Sequence, residues 1–293
     1  MHLTNAQSSL IVALIYLGFC LVEVARTRFF AKTEQTRHDG IVEIVSTFTL
    51  TILTQPAILL AVGALGHRFF PQYEGALAHS PWYAALALFL VFEDMMQYWW
   101  HRASHSTAWL YNLHRAHHNA RYMSVRLVYR NNLLYYAMMP SIWLAGALVY
   151  LGLGWFYAFY LIVKMLVIIG AHSDVAWDAP LYRIKALAPV MWVVERTIST
   201  PATHHAHHGR HADDPAVHYK GNFGNLLFFW DVLFGTAKIT RHFPASYGVE
   251  NLPPATLGQQ LLWPILPENR DMEAAIPGAT PARAEAQAAV AAG

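Results

Sequence analysis

The chain has 293 residues, of which 55% are hydrophobic and only 13% carry a charge. Soluble domains usually contain about 25% charged residues, so this composition excludes an ordinary soluble protein and predicts a membrane protein. The formal net charge of +2 is too small to indicate a nucleic-acid-binding protein, and no nucleic-acid partner is expected. The single cysteine, Cys20, excludes an intrachain disulfide and a cysteine-rich metal site.

Several apolar segments reach the length of about 20 residues that a helix needs to cross a bilayer. Candidate crossings lie at about 8–25, 41–65 and 82–100. The longer apolar run at about 133–170 is broken near Gly152, which predicts a hairpin of two helices. The sequence therefore predicts an all-α, polytopic membrane helix bundle with four or five transmembrane helices.

The distribution of lysine and arginine predicts how these helices are oriented. Basic residues concentrate at 26–40, at 101–132 and after His172, whereas the segment 67–81 contains only Arg68. Because cytoplasmic loops carry the excess of basic residues, five crossings with the N-terminus outside fit best. Four crossings with one re-entrant segment are the alternative. Either way, the histidine-rich segments are expected on the cytoplasmic side.

The chain contains 17 histidines, and many of them follow metal-ligand spacings. The segment 101–105 reads HxxxH, and the segments 114–118 and 204–208 both read HxxHH. On a helix these spacings place the rings on one face, and the stretch 99–118, which lacks proline and glycine, is predicted to be helical. His205 falls about 100° away from that face. The eight candidate ligands are His101, His105, His114, His117, His118, His204, His207 and His208.

Eight imidazoles exceed what one metal ion can hold and predict two metals with four or five ligands each. An all-nitrogen set suits iron, zinc, copper or nickel and excludes a magnesium or calcium site. The three segments 101–105, 114–118 and 204–208 are called histidine boxes. Because the boxes directly follow apolar segments, they predict a helical, histidine-rich cap at the membrane surface. Asp94, Asp174 and Asp231 are candidate carboxylates for orienting the rings, with helix capping or ion pairing as the alternative for Asp231.

Four stretches of the chain, "DMMQYWWHRASH", "HRAHH", "HHAHHGR" and "KGNFGNLLFFWDVLFGT", resemble the fatty acid hydroxylase superfamily, which includes sterol desaturases and alkylglycerol monooxygenase. The resemblance covers about half the chain, from Glu93 to Thr236. It implies that His172 is a ninth ligand, with a hydrogen-bonding role beside the ligands as the alternative. His211 stands where related sequences have asparagine. His205 and His211 are therefore candidates for contacts to the ligands.

The resemblance implies a membrane-bound non-haem di-iron enzyme. It would hydroxylate or desaturate an unactivated C–H bond of a lipid, using O2 and external electrons, with no catalytic residues beyond the ligands. Zinc is a candidate substitute metal. The chain shows no flavin, haem or iron–sulfur signature, so a separate electron donor is implied, either a ferredoxin or a cytochrome b5-type reductase system. A zinc-dependent membrane lipid hydrolase is the alternative enzyme class.

The sequence predicts four parts: N-terminal membrane helices at 1–92, a catalytic region at 93–240 with the hairpin at 133–171, an extension at 241–266, and a disordered tail at 267–293. The alanine-rich tail, without an endoplasmic-reticulum retrieval ending, favours a bacterial inner membrane over the endoplasmic reticulum. The sequence leaves open whether the substrate is a fatty acyl lipid, a sterol, an ether lipid or an aminolipid.

Overall fold

The computed structural model describes residues 5–32, 34–250, 252 and 255–266. Within these ranges the regular elements are helices, and the sole β-pairing is a single bridge between Gly209 and Tyr247, so the predicted all-α class is confirmed. The predicted tail at 267–293 lies outside the described residues. The α-helices are α1 Asn5–Arg26, α2 Arg37–Phe48, α3 Gln55–Phe69, α4 Trp82–Phe89, α5 Met96–Ser106, α6 Ala108–His118, α7 Leu133–Ala137, α8 Pro140–Leu148, α9 Gly154–His172, α10 Ala188–Thr197, α11 Pro201–His208, α12 Phe229–Leu233 and α13 Leu257–Leu262.

Three helical segments among the described residues are long and apolar enough to cross a membrane, namely Gln7–Arg26, Arg37–Phe69 and Pro140–His172. The second joins α2 and α3 through the π-helical turn Thr49–Thr54. Along α1, a row of leucines is more than half exposed, as expected for a face that contacts lipid: Leu10, Leu14, Leu17 and Leu21. These features agree with the prediction of a membrane protein. The number of crossings and the cytoplasmic orientation stay predictions.

The segment 82–100, where a crossing is expected, forms one continuous helical stretch with an exposed side and a buried side. Helices α4 and α5 continue into each other through the π-helical turn Leu90–Met95, whose two boundary residues keep right-handed helical dihedrals. This helix is not among the three apolar candidates, because Glu93 and Asp94 reduce its hydropathy. Both carboxylates are buried and paired, Glu93 with the Lys164 ammonium and Asp94 with the Trp230 indole N–H.

The apolar run after residue 132 reverses direction at Gly152, as the sequence predicts. Its start and its end meet at the same helix: Tyr135 stacks on His114 of α6, with ring centroids 4.8 Å apart, and His172 lies 5.3 Å from His117 of α6. A straight helix of this length would separate its ends by about 50 Å, so the chain must turn back. Gly152 has φ 103°, a left-handed conformation that glycine adopts without strain.

Replacing Gly152 by alanine should destabilise the protein. A Cβ atom there would lie 2.8 Å from the backbone nitrogen of Ala78, and the positive φ would add strain, so we expect a loss of about 1–3 kcal/mol. Thermal unfolding of the detergent-purified protein measures the effect. Gly63→Ala is the matched control, because nothing lies within 4 Å of its added Cβ. Equal stability of the two variants would contradict the proposed role of Gly152.

Candidate metal centre

The first two histidine boxes lie on two packed helices rather than on one. The stretch 99–118 was expected to be a single helix, but Thr107 has extended dihedrals, with φ −125° and ψ 118°, and separates α5 from α6. This break folds α6 back against α5. His101 and His105 on α5 therefore face the HxxHH residues of α6, an arrangement that a continuous helix would prevent.

The third box forms the short helix α11, whose start is well defined by local sequence. Thr200 and Thr203 form a capping box, and Pro201 occupies the first helical turn. The helix packs on the end of α9, which carries His172. The ring of His204 consequently lies 4.0 Å from the ring of His172, centroid to centroid.

The nine predicted ligands come together as two adjacent groups. In each group every histidine offers a ring nitrogen, and these nitrogens lie within 4.8 Å of one another. No member exposes more than 9% of its surface. The first group contains His101, His105, His114, His118 and His207. The second group contains His117, His172, His204 and His208.

Each HxxHH box divides its residues between the two groups. Helix α6 supplies His114 and His118 to the first group and His117 to the second. Helix α11 does the reverse: it supplies one histidine, His207, to the first group and two, His204 and His208, to the second. Neighbouring positions on a helix diverge by about 100°, so the fourth and fifth residues of the box, which are adjacent histidines, point to different centres. The groups also touch: the rings of His118 and His208 stack with centroids 4.3 Å apart.

Hydrogen bonds assign the protonated nitrogen in five of the rings. The Nδ1–H groups of His101, His117 and His172 donate to the carbonyl oxygens of Phe223, Leu127 and Ile168, at 2.7, 3.0 and 2.8 Å. A carbonyl oxygen only accepts, so the proton must sit on Nδ1 and the lone pair on Nε2. In the same way, His207 donates to the Gly221 carbonyl oxygen and His114 to the Asn131 side-chain oxygen.

The Nε2 atoms left without a proton converge on one another. The unprotonated Nε2 atoms of His207 and His101 lie 3.0 Å apart, and the unprotonated Nε2 atom of His172 lies 2.9 Å from the Nε2 atom of His204, whose proton no carbonyl contact assigns. When both rings of a pair carry their proton on Nδ1, their lone pairs repel, and a shared cation removes that repulsion. The donor set therefore fits two metal ions bound through Nε2 atoms.

Burial keeps the rings in the neutral form that metal binding needs. Desolvation lowers the pKa of His101 to about 4, and it also lowers the pKa of His207 well below its ordinary value. For His207 the neighbouring His101 lowers the pKa further. Both imidazoles are thus neutral ligands at neutral pH.

The ring acceptors are backbone carbonyl groups and one amide, in place of the expected carboxylates. Asp231 instead accepts hydrogen bonds from the backbone N–H groups of Phe223 and Gly224, at 2.8 and 2.6 Å, and so shapes the loop that receives the ring of His101. Gly221 in the same loop has no space for a side chain, because a Cβ would lie 2.2 Å from the Thr236 carbonyl oxygen. This contact explains part of the glycine-rich closing segment.

The other two candidate carboxylates also contact groups outside the histidine cluster. Asp94 accepts hydrogen bonds from the Leu227 backbone and the Trp230 indole, which holds the closing segment against α5. Asp174 pairs with Lys32 at 2.5 Å, beyond the end of α1. Neither carboxylate contacts a ring of the two histidine groups in these hydrogen bonds.

His205 and His211 lie outside both groups. His205 is buried, its Nδ1 accepts the Tyr247 hydroxyl at 3.0 Å, and its Nε2–H donates to the Ser173 carbonyl oxygen at 3.0 Å. It thereby joins α11 to the residue that follows His172. The side chain of His211 is 42% exposed and lies 3.2 Å from the Glu250 carboxylate, away from the candidate ligands.

Asn131 is a site residue that the sequence analysis missed. Its side-chain oxygen accepts the Nδ1–H of His114 at 2.8 Å, and its amide nitrogen donates to the Tyr136 hydroxyl at 3.0 Å. It is 2% exposed. The available signal was the pair of asparagines, 131 and 132, standing directly before an apolar run.

A cavity of about 440 Å³ connects the histidine cluster with the membrane-spanning helices. His101, His114, His117 and His172 close one end of it. Toward the bundle interior the lining includes aliphatic side chains, among them Leu50, Ile142, Leu161, Met165 and Ile168. This lining suits a hydrocarbon chain that reaches the metal centre from within the bilayer.

Comparison with known proteins assigns the family. The sequence profile described as "Fatty acid hydroxylase" matches residues 86–236, which is more than half of the chain. The chain belongs to the fatty acid hydroxylase family. The matched region contains all nine candidate ligands and the closing segment, so the resemblance expected from the boxes is confirmed.

Two curated relatives of this fatty acid hydroxylase family member are alkylglycerol monooxygenases. The Caenorhabditis elegans protein is 28% identical over 171 residues, 58% of this chain and 30% of the relative. The Danio rerio protein is 28% identical over 225 residues, 75% of this chain and 46% of the relative. The chain thus spans less than half the length of these relatives. No solved structure matches it.

The purified protein is expected to hold two metal ions per chain, one for each histidine group. His105→Ala in the first group and His204→Ala in the second should each lower the metal content by about one ion, since each removes a candidate ligand. Mass spectrometry of the metals measures this content. His211→Ala is the control and should retain both ions. Unchanged metal content in both group variants would contradict the ligand assignment.

Asn131→Leu should weaken metal affinity by about 10–100-fold, because it removes the acceptor that orients His114. Asn131→Asp retains an acceptor oxygen and should preserve most of the affinity. Competition with a metal chelator measures both variants. An Asn131→Leu protein with wild-type affinity would show that the amide does not support the ligand.

Proposed function

We propose that this protein is a membrane-bound, non-haem di-iron oxygenase that hydroxylates a lipid. The observation that carries the proposal is the pair of adjacent all-histidine groups at one end of an apolar cavity between helices. Its family and its alkylglycerol monooxygenase relatives support lipid oxidation as the reaction class. Two iron ions, when bound, would supply the redox chemistry that activates O2 and oxidises an unactivated C–H bond.

The chain's own contribution is positioning and the exclusion of water. The nine histidines hold the metals, and their backbone acceptors fix the ring orientations. The aliphatic cavity wall holds the lipid chain and keeps water from the reacting carbon. Desaturation remains the variant of the same chemistry in which the lipid loses a second hydrogen.

The charges inside the bundle fit a cavity that admits a lipid. Lys164 lies on the apolar helix α9 and is paired with Glu93, which also accepts the Tyr160 hydroxyl at 2.6 Å. A lysine in an apolar helix usually faces the interior of the bundle, where a carboxylate can compensate its charge. The pair lines the cavity without placing an uncompensated charge beside the substrate.

The reaction needs electrons that we propose come from a separate protein. One cysteine, Cys20, cannot hold an iron–sulfur cluster. A ferredoxin or a cytochrome b5-type reductase system is the proposed donor. We further propose that the chain crosses the membrane four or five times, in a bacterial inner membrane, with the histidines on the cytoplasmic side.

The test uses iron-loaded protein in lipid nanodiscs, a chemical or ferredoxin reductant, and isotopically labelled O2. We expect one labelled oxygen atom in the product of an alkylglycerol or fatty acyl lipid, and no product without O2. His117→Ala should abolish the reaction, because it removes a candidate ligand of the second group. Product analysis by mass spectrometry reads the outcome.

A zinc-dependent lipid hydrolase predicts the opposite pattern. Zinc-loaded protein would then cleave an ester without O2 or reductant, and water would supply the oxygen atom. The two groups contain only histidine among the described residues, and they offer no carboxylate as a general base for such a water. Anaerobic turnover by the zinc protein would refute the oxygenase proposal.

A further inference from the structure

One helix carries a row of polar side chains from the bundle interior to the metal centre. Glu93, Gln97 and His101 follow one another at intervals of four residues, and all three line the cavity. Residues four apart on a helix share a face, so the row forms a polar strip along one cavity wall. The strip continues from the paired charge at Glu93 to a candidate metal ligand.

Gln97 is the member of this strip whose side-chain oxygen has no hydrogen-bond donor within the described part of the chain. Its side-chain oxygen is buried and has no hydrogen-bond partner among the described residues. Glu93 is already bonded to Lys164 and Tyr160. A buried acceptor without a donor costs free energy, and a bound ligand with a donor group removes that cost.

The position of Gln97 defines what a ligand must present. It precedes His101 by four residues, so it lies about 6 Å along the helix axis from that ligand. The unpaired atom of Gln97 is its amide oxygen, which only accepts, so the ligand group that binds this atom must donate a hydrogen, as an ionised carboxylate does not. An ammonium group would have to shed its water inside the cavity, where the Glu93 carboxylate already pairs with the Lys164 ammonium, and this would cost free energy. A neutral hydroxyl group meets these conditions.

We propose that Gln97 determines substrate specificity by accepting a hydrogen bond from a hydroxyl group of the lipid. The hydroxyl group would lie within a few bonds of the carbon held at the metal centre, while the hydrocarbon chain occupies the aliphatic part of the cavity. This inference rests on the proposed function, and it narrows the substrate class to lipids that carry a hydroxyl close to the reacting carbon. Plain hydrocarbon chains and free fatty acids lack that donor.

The test compares two lipids, one with hydroxyl donors and one in which methyl groups replace the hydroxyl hydrogens. Hexadecylglycerol carries two hydroxyl groups, and its dimethyl ether keeps every oxygen atom but has both hydroxyl groups capped. Competition against radiolabelled hexadecylglycerol measures the affinity of each lipid for the full-length protein in detergent. Wild-type protein is expected to bind hexadecylglycerol about three- to tenfold more tightly, as one hydrogen bond to a neutral amide predicts.

Gln97→Leu should remove this preference, so that both lipids bind with similar affinity. Gln97→Met, which preserves side-chain length, is the second variant and should behave alike. Gly63→Ala changes a residue outside the cavity lining, where an added Cβ has space, and should retain the wild-type preference. Metal content confirms that each variant keeps the histidine groups assembled.

Three results would overturn the inference: wild-type protein that binds neither lipid, wild-type protein without a preference, or Gln97 variants that keep the full preference. Oxidation assays separate this inference from the proposed function. If the binding preference depends on Gln97 but the iron-loaded protein oxidises neither lipid with O2 and reductant, the hydroxyl site stands and the oxygenase proposal fails.

Discussion

Nine imidazoles can share a buried space only when their ring protons and lone pairs are kept apart, and the rest of the structure follows from that constraint. In rings such as His101 and His117, the Nδ1–H group donates a hydrogen bond to a backbone carbonyl oxygen outside the cluster. The Nε2 lone pairs then face inward and repel one another until cations lie between them. The same geometry that selects metal binding thus makes the apo cluster electrostatically unfavourable.

Segments that contain no candidate ligand support the cluster by supplying hydrogen-bond acceptors to the rings or by holding those acceptors in place. The short turn Val125–Leu127 and the loop 221–224 present carbonyl oxygens to the rings, and Asp231 holds that loop from behind. Glu23 at the end of α1 accepts hydrogen bonds from Ser124 and from two backbone N–H groups. A membrane helix is thereby attached directly to the frame around the metals.

The parts that the sequence could predict are those encoded in local spacing. The box spacings identified the histidine clusters, and the glycine at 152 identified the hairpin. The break at Thr107 was missed because threonine does not prevent helix formation, and the reversal is driven by packing of α6 on α5. Asn131 was missed for a related reason: its contact with His114 depends on tertiary structure, and asparagine is equally common in turns.

The expected carboxylates illustrate a further limit of sequence reasoning. Asp94 and Asp231 were expected to orient the histidine rings, but their carboxylates accept hydrogen bonds from backbone and indole N–H groups instead. A carboxylate beside a ring would favour the protonated imidazole, whereas a carbonyl oxygen orients the ring without adding a charge. In a buried cluster that must stay neutral before metal binding, carbonyl acceptors preserve that neutrality.

The HxxHH spacing makes the two metal sites a single unit. Because its fourth and fifth positions diverge around the helix, α6 and α11 each contribute to both groups: α6 supplies two histidines to the first and one to the second, and α11 the reverse. A rotation of either helix would misplace ligands at both centres, and the stacked rings of His118 and His208 would transmit the displacement. Two independent mononuclear sites would not require that shared geometry. The repeated box therefore fixes the separation of the two histidine groups, which is the geometry that the proposed reaction at two metals would need.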